Sequence, residues 1–172
     1  MISTPRLVIR RFTVEDAAFA LRLLNEPSFI ENIADRGVRT LEQAVKYLED
    51  GPIASYEKHG LGLMMVVAQK TGAPIGMCGL IRRPGKPDVD LGYAYVPEAW
   101  GQGYAGEAAE AMLEIARRDF RLPRVAAFIS PGNERSLRVL ARLGFQPAGT
   151  TRLNPADPEI LLYMKTFEGA QP

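Results

Sequence analysis

The chain has 172 residues, of which 47% are hydrophobic and 8% aromatic, and its formal net charge is +1. This length favours a single domain over residues 1–172, since two domains of ordinary size need a longer chain. The balanced charge and the few aromatic residues argue against a nucleic-acid-binding protein, and one cysteine cannot form an internal disulfide. Neither a signal segment nor an apolar run of membrane-spanning length is recognised, so we expect a cytoplasmic protein.

The N-terminal part of the chain is predicted to begin with a strand and a helix. Residues 6–12 follow Pro5 and are predicted to form a short strand with Leu7 and Ile9 on one face. Thr13 and Asp16 have the spacing of a capping box, in which the two side chains satisfy backbone groups at a helix start. This spacing predicts a helix over residues 14–24. Residues 25–39 are predicted as a loop or a broken helix.

A second helix and a hairpin follow. Thr40 and Gln43 repeat the capping-box spacing, and the helix that they begin is interrupted at Gly51-Pro52. After this helix the pattern becomes extended. Residues 63–69 and 74–82 are apolar runs joined by a turn, which predicts a β-hairpin.

The centre of the chain reads as a strand, a glycine-rich turn and a helix. Leu91, Tyr93 and Tyr95 alternate with smaller or polar residues, and Pro97 ends this strand because it has no N–H to donate. Over residues 105–120 small and apolar side chains recur every three or four positions, which indicates a helix. The central strand is expected to continue the hairpin as an antiparallel meander.

Three glycines lie where the strand passes into the helix: Gly101, Gly103 and Gly106. Glycine lets the backbone approach a ligand closely, and the first turn of a helix offers unpaired N–H groups at the positive end of its dipole. The arrangement is therefore typical of a site for a phosphate or pyrophosphate. A glycine-rich loop without a ligand is the simpler alternative.

The same glycines also match the dinucleotide-binding fingerprint, which would indicate a nucleotide-dependent oxidoreductase. That fingerprint needs a tight turn directly after the strand and an acidic residue at the end of the next strand. Here four residues separate the strand from Gly101. The next predicted strand, residues 124–129, ends in Ser130-Pro131. Both features argue against this class.

The C-terminal part is predicted as one helix and two strands. Asn133 can cap a helix over residues 134–143, and a glycine follows that helix. Residues 148–152 and 159–167 are predicted to be extended.

The stretch Pro-Glu-Ala-Trp-Gly-Gln-Gly-Tyr-Ala-Gly-Glu-Ala, between the central strand and its helix, resembles the acetyl-CoA-binding core of the GNAT N-acetyltransferases. It is similar in particular to the branch related to the ribosomal-protein N-terminal acetyltransferases RimJ and RimL. The family pattern is Arg or Gln, two residues, Gly, one residue, then Gly or Ala. Gly103 and Ala105 match it, whereas Trp100 stands at the Arg or Gln position.

The resemblance covers nearly the whole chain and implies an α/β fold of the α+β type. A mixed, mostly antiparallel sheet of about seven strands with about four helices is expected. The cofactor cleft of the family lies between the splayed fourth and fifth strands. The implied activity is acetyl transfer from acetyl-CoA to a primary amine, by direct attack in a ternary complex.

The resemblance also implies which residues hold the cofactor. Backbone N–H groups from Gln102 to Gly106 would bind the pyrophosphate, and the backbone of Tyr95 and Val96 would bind the pantetheine arm. The full expected set is Tyr95, Val96, Gly101, Gln102, Gly103, Tyr104, Ala105, Gly106, Asn133 and Ser136. No pair of cysteine or histidine residues is available to assemble a metal site.

Three residues are candidates for the chemistry. By resemblance, the Val96 N–H would polarise the acetyl carbonyl, and Ser136 would lie near the sulfur. Asp90 would accept the proton of the amine through water, as an alternative to a plain structural role. Phe145 stands where the family often has a tyrosine that protonates the thiolate. Glu107 is expected to be solvated and to complement the helix dipole.

The acceptor is left open between a protein N-terminal α-amine and a small-molecule amine, and dimerisation is also open. A nucleic acid or membrane partner is not expected. The alternative outside the enzymes is a sensor domain that binds an acyl-CoA without turnover. The phenylalanine at position 145 and the short side chain of Asp90 keep that alternative open.

Overall fold

The structure is a computed structural model that describes residues 1–169. The last three residues of the predicted domain, 170–172, lie outside this range. The strands are β1 (Ile2–Ser3), β2 (Leu7–Arg11), β3 (Leu63–Ala68), β4 (Pro74–Ile81), β5 (Asp90–Tyr95), β6 (Arg124–Ile129), β7 (Gln146–Thr151) and β8 (Ile160–Thr166). They form one sheet in the order β1-β2-β3-β4-β5-β6-β8-β7.

Helices cover the sheet and the connections between strands. They are α1 (Ala17–Leu24), α2 (Pro27–Asn32), α3 (Leu41–Leu48), α4 (Ala54–His59), α5 (Tyr104–Arg118) and α6 (Glu134–Arg142). Over residues 1–169, four of them have eight residues or more, which agrees with the predicted number of about four. The two short helices, α2 and α4, add six residues each.

The sheet is mixed and mostly antiparallel, as expected. The predicted meander is formed by β3, β4 and β5, and the one parallel pair described is β5 with β6. These two strands pair only at Asp90 and Ala126, although each has six residues. Beyond that position they part, so a cleft opens toward the ends of both strands.

The cleft lies between the central strand and the strand after the long helix, as predicted, but the position of these strands in the count along the chain changes. The short strand β1, which pairs with β2, was not predicted because two residues carry no readable alternation. The sheet therefore has eight strands rather than about seven, and the splayed pair is the fifth and sixth.

Both predicted capping boxes are present. The Thr13 N–H donates to Asp16 Oδ2 at 2.9 Å, and the Gln43 N–H donates to Thr40 Oγ1 at 3.2 Å. The first helix begins as a 3₁₀ turn, Val14–Asp16, before α1. The predicted interruption at Pro52 is a π-helical turn, Glu49–Ile53, that joins α3 to α4.

The long helix α5 positions the site. Its buried face packs against β4 and β5, and the buried side chains on it are Ala108, Ala109, Met112, Leu113 and Ala116. Small residues bring the helix axis close to the sheet, since alanine side chains occupy little of the space between them. The N-terminus of α5 is therefore fixed beside the open end of the β5–β6 cleft.

Candidate functional site

The glycine turn before α5 has the backbone geometry that the sequence predicted. Gly101 and Gly103 have φ values of 73° and 79°, in the left-handed region that favours glycine. The Glu107 N–H donates to the Gly103 carbonyl and begins the helix. Within residues 1–169, the backbone N–H groups of residues 102–106 donate to no protein acceptor. We call residues 101–106 the glycine cradle.

The glycine cradle is open on one side and supported on the other. A Cβ atom added at Gly101 or Gly106 would meet nothing within 4 Å. A Cβ added at Gly103 would lie 3.3 Å from Arg6 Nη2. The unpaired amides thus border free space, while an arginine from the start of β2 fills the space behind them. An anion of phosphate size can approach from the open side.

The backbone of β5 shows which amides face the cleft. The Val89 carbonyl accepts from the Ala126 N–H at 2.9 Å, toward β6. Backbone groups alternate in direction along a strand, so the N–H groups of Tyr93 and Tyr95 also point to the β6 side. There the strands have parted. These two amides are available to a ligand that fills the cleft.

The prediction for Val96 needs a correction. Its N–H donates to the Ile75 carbonyl at 3.0 Å, which is on the β4 side. An amide that already completes the sheet is not a free donor for an acetyl carbonyl. The direction of the amide depends on the pairing with β4, which local sequence does not reveal.

Trp100 connects the end of β5 to α6. Its indole Nε1–H donates to the Tyr95 carbonyl at 3.0 Å. The guanidinium of Arg135 lies 3.8 Å from the centre of the indole ring. The tryptophan that replaces the Arg or Gln of the family pattern therefore holds two elements of the cleft together.

The N-terminus of α6 brings Asn133 and Ser136 to the cleft. Asn133 Oδ1 accepts from the Ser136 N–H at 3.3 Å, so Asn133 caps the helix. The Tyr93 hydroxyl donates to the Ser136 carbonyl at 3.4 Å. Burial raises the pKa of Tyr93 to about 12, which keeps this hydroxyl neutral. The Asn133 Nδ2 and the Ser136 Oγ form no hydrogen bond within residues 1–169.

Asp90 lies at the closed end of the cleft and is paired with Arg83. Arg83 Nε and Nη2 donate to the two carboxylate oxygens at 2.8 and 3.1 Å. The Asp90 side chain is only 1% exposed. Burial raises the pKa of the Asp90 carboxyl above its usual value, and Arg83 opposes part of that rise. Along the strand, Asp90 is about 10 Å from Tyr93.

Glu107 and Cys78 lie close to the site without belonging to its open face. Glu107 was expected to be solvated, but it accepts hydrogen bonds from Thr4 and Arg6, so that expectation was wrong. Cys78 is buried, and burial raises the pKa of its thiol to about 12, which leaves it a neutral core residue. Among residues 1–169 no group of three His, Cys, Asp or Glu side chains is placed to hold a metal ion.

The comparisons with known proteins identify the family. The sequence model of the acetyltransferase (GNAT) domain matches residues 6–146. The chain belongs to the GNAT acetyltransferase family. The expected fold and enzyme class are thus confirmed at the level of the family.

Individual GNAT proteins resemble the chain along most of its length. An uncharacterized N-acetyltransferase of Bacillus subtilis, YoaA, is 25% identical over 154 residues, which cover 88% of this chain and 86% of YoaA. The crystal structure of an acetyltransferase from Agrobacterium tumefaciens is 27% identical, with a TM-score of 0.79, and the match covers 96% of this chain and 94% of that one.

A third similarity extends to the RimJ and RimL branch in fold alone. The structure of RimL, a ribosomal L7/L12 α-N-protein acetyltransferase in complex with coenzyme A, has a TM-score of 0.79 at 16% identity. The match covers 96% of each chain. Over the residues that the structure describes, no helix has the length and apolar character needed to span a bilayer.

Proposed function

We propose that the protein is an acetyl-CoA-dependent N-acetyltransferase that acts on a primary amine by direct attack within a ternary complex. The observation that carries this proposal is the glycine cradle, whose free amides border open space beside the end of the cleft. The free amides of the glycine cradle suit the diphosphate of the cofactor, and the neighbouring cleft suits the extended pantetheine arm that is joined to it. The GNAT family as a whole uses this cofactor.

Each part of the cofactor has candidate residues. The amides of Gln102, Gly103, Tyr104, Ala105 and Gly106 bind the pyrophosphate. The backbone of Tyr93 and Tyr95 faces the pantetheine arm, and Val96 lies beside it as a packing residue. The Asn133 side chain caps α6 with its oxygen and offers its Nδ2 to the cofactor. The bound cofactor supplies an acetyl group activated as a thioester.

The residues of the cleft then assist the transfer. A backbone amide of Tyr93 or Tyr95 donates to the developing oxyanion, and one such donor typically lowers the barrier by about 3 kcal/mol. The Ser136 hydroxyl relays a proton from solvent to the departing thiolate and so ends the step as a hydroxyl again, while the proton taken from the amine returns to solvent. Asp90, whose buried carboxyl has a raised pKa, accepts the proton of the amine through water.

No covalent intermediate on the protein is proposed. A covalent route needs a nucleophile activated by an adjacent base. Cys78 is buried among core residues, and its raised pKa keeps the thiol protonated. Within residues 1–169 the Ser136 hydroxyl forms no hydrogen bond to a histidine or a carboxylate that could act as its base.

The charges at the closed end of the cleft bear on the acceptor. Asp88 and Asp90 lie in and after the β4–β5 connection, and they are paired with Arg124 and Arg83. The same connection carries the further basic residues Arg82 and Lys86. A polyamine would find no unpaired carboxylate on this connection. An acceptor with one amine, such as a peptide N-terminus or an amino acid, fits this charge distribution better.

A substitution at Gly106 tests the cradle. Gly106 lies in the first turn of α5 and faces open space, so leucine fits there without steric conflict and is a better helix former than glycine by up to about 1 kcal/mol. We expect Gly106→Leu to fold normally and to bind CoA at least about tenfold more weakly, which calorimetry would measure. Glu110→Leu, one turn further along α5, should bind CoA as the wild type does. Unchanged affinity in folded Gly106→Leu would contradict the proposal.

A measurement of turnover distinguishes the enzyme from an acyl-CoA sensor, the alternative that Phe145 and the short, ion-paired Asp90 leave open. Thiol release from acetyl-CoA would be followed with peptides that have a free N-terminus, with amino acids and with spermidine. We expect release with a single-amine acceptor and little with spermidine. Tight CoA binding without release on any acceptor would support the sensor instead.

A further inference from the structure

Arg6 contacts the glycine cradle from behind through three groups. Its Nη1 donates to the Gln102 carbonyl at 2.8 Å, and its Nε donates to Glu107 Oε2 at 2.6 Å. Its guanidinium carbon lies 4.7 Å from the centre of the Tyr104 ring. One side chain therefore touches the loop, the first helical residue and the first acidic residue of α5.

Glu107 anchors this arginine on the helix. Its Oε1 accepts from Thr4 Oγ1 at 2.6 Å and from the Arg6 N–H at 2.9 Å. Burial favours the neutral carboxyl, but the hydrogen bonds from Thr4 and Arg6 outweigh it and lower the pKa of Glu107. The carboxylate is thus charged at neutral pH and holds Arg6 in place.

The start of β2 is itself fixed to the sheet. Gln69 Nε2 donates to the carbonyls of Thr4 and Leu7 at 2.7 and 3.0 Å, and the Gln69 N–H donates to the Arg6 carbonyl at 2.9 Å. The Leu7 N–H donates to Thr4 Oγ1 at 3.0 Å. The support behind the cradle is therefore attached to Gln69, the residue that follows β3, and does not depend on the glycine loop.

The contact with Gln102 determines the direction of the next amide. A trans peptide is planar, so its carbonyl and the N–H of the following residue point to opposite sides, and no cis peptide bond occurs among the described residues. Because Arg6 holds the Gln102 carbonyl at the back of the cradle, the Gly103 N–H must face the open front. The left-handed φ of Gly103 favours glycine there, and a Cβ at this position would also lie 3.3 Å from Arg6 Nη2.

We propose that Arg6 is a positioning residue for the pyrophosphate site, with Glu107 and Thr4 as its supports. It holds the Gln102–Gly103 peptide so that the Gly103 amide points at the phosphates before the cofactor binds. This inference rests on the proposed function, because it assigns a role within the same cofactor site. It concerns binding of the diphosphate and not the chemistry of acetyl transfer.

The test compares two acyl donors that differ in the diphosphate. Arg6→Met keeps an unbranched stem over Tyr104 but removes every hydrogen bond of the guanidinium. We expect the KM for acetyl-CoA to rise at least about tenfold, as losing charge-assisted hydrogen bonds that order a site implies, with little change in kcat. The KM for S-acetylpantetheine, which has no diphosphate, should change less than about twofold.

Two further variants make the result specific. Arg6→Lys retains the positive charge but replaces the planar guanidinium, which has several N–H donors, with a single ammonium group. It should therefore recover only part of the affinity for acetyl-CoA. Arg117→Met, on the same helix, removes an arginine that pairs with Glu114 and should leave both KM values unchanged. If Arg6→Met does not fold, the same comparison of acetyl-CoA with S-acetylpantetheine is made with Arg6→Lys.

Several outcomes would overturn the proposal. Equal losses for acetyl-CoA and S-acetylpantetheine in a folded Arg6 variant would show a general structural role. If Arg6→Met leaves the KM for acetyl-CoA unchanged while Gly106→Leu has lost CoA binding, the cofactor site is as proposed but Arg6 has no role in it. A wild-type protein that binds no CoA would refute the proposed function and this inference together.

Discussion

Asp90 and Arg83 form the buried ion pair that closes the inner end of the cleft. Arg83 is 27% exposed and Asp90 only 1%, so the carboxylate depends on the arginine for most of its stabilisation. Removing one partner of such a pair leaves a charge without compensation and typically costs about 3 kcal/mol. Because the guanidinium also lies 5.7 Å from the Phe128 ring, methionine preserves part of the packing.

The pH dependence of stability tests this pair. Burial raises the pKa of Asp90 from 3.8, so the folded state binds this proton more tightly than the unfolded state. The stability from this group is fully present below the unfolded pKa and is lost as pH rises through the folded pKa. Arg83 opposes the rise, so Arg83→Met should lose stability more steeply than the wild type above pH 3.8. Urea unfolding at a series of pH values measures this slope.

A double variant is the matched control for that slope. Arg83→Met combined with Asp90→Asn has no group at position 90 that titrates, so the extra pH dependence should disappear. If Arg83→Met and the double variant lose stability in parallel as pH rises, Asp90 is not the group that couples stability to pH.

Individual residues were predicted by type more readily than by contact. The positions of the glycines and of Asn133 were predicted from neighbouring residues, and the structure places them at the turn and the helix start as expected. Glu107 does not, because its partners Thr4 and Arg6 lie about a hundred positions earlier in the chain. Arg6 was missed for the same reason. The Thr-Pro-Arg-Leu start of β2 carries no local signal that it will meet α5.

At the scale of elements, the N-terminus of α6 combines two roles in one side chain. Asn133 Oδ1 caps the helix, while its Nδ2 is proposed to donate to the cofactor. Serine caps helices about as well as asparagine but has no amide to donate, and alanine does neither. The two roles are therefore separable by substitution.

We expect Asn133→Ser to keep the stability of the wild type and to bind CoA about three- to tenfold more weakly, since one neutral hydrogen bond is lost. Asn133→Ala should show the same weakening and should also lose about 1 kcal/mol of stability. Calorimetry with CoA and thermal unfolding measure the two effects. Wild-type affinity in Asn133→Ser would restrict Asn133 to helix capping.

Most elements were predictable because their signals are local. The hairpin of β3 and β4 has two apolar runs and a turn, and both capping boxes announce their helices. The segments 148–152 and 159–167 were found, although β7 begins at Gln146. The bounds of α2 within the predicted loop or broken helix of residues 25–39, and the π-helical form of the predicted interruption at Gly51-Pro52, were not predicted from sequence. Both segments have only five or six residues, which is too short for a helical period to be recognised.

At the scale of the molecule, binding of the cofactor should stabilise the fold. A ligand that binds only the folded state adds about 2.7 kcal/mol at a concentration one hundred times its Kd. For a chain of this length that amounts to a rise in Tm of roughly 5–10 °C. We expect this shift with acetyl-CoA and CoA and none with NAD or NADP. A shift with NAD(P) alone would support the oxidoreductase that the glycine fingerprint suggested.

The order of strands was beyond local reasoning. Strand β8 lies between β6 and β7. After β6 the chain therefore leaves the neighbouring position in the sheet empty, forms β7 one position further out, and fills the gap with β8. The separation of β5 from β6 likewise depends on what each strand pairs with on its other side. The helices and strands were predicted from residue patterns, whereas the cleft was predicted only from the resemblance to the family. The single-domain organisation of residues 1–172 and the cytoplasmic location stay predictions.

The chain has one tryptophan, and the structure places it at the mouth of the cleft. The indole of Trp100 donates to the last carbonyl of β5 and stacks under Arg135, directly before the glycine cradle. Tryptophan fluorescence of the protein therefore comes from one side chain, which lies beside the proposed cofactor site. If the cofactor binds there as proposed, the wavelength and intensity of this emission should change on binding, which gives an optical measurement that needs no added dye.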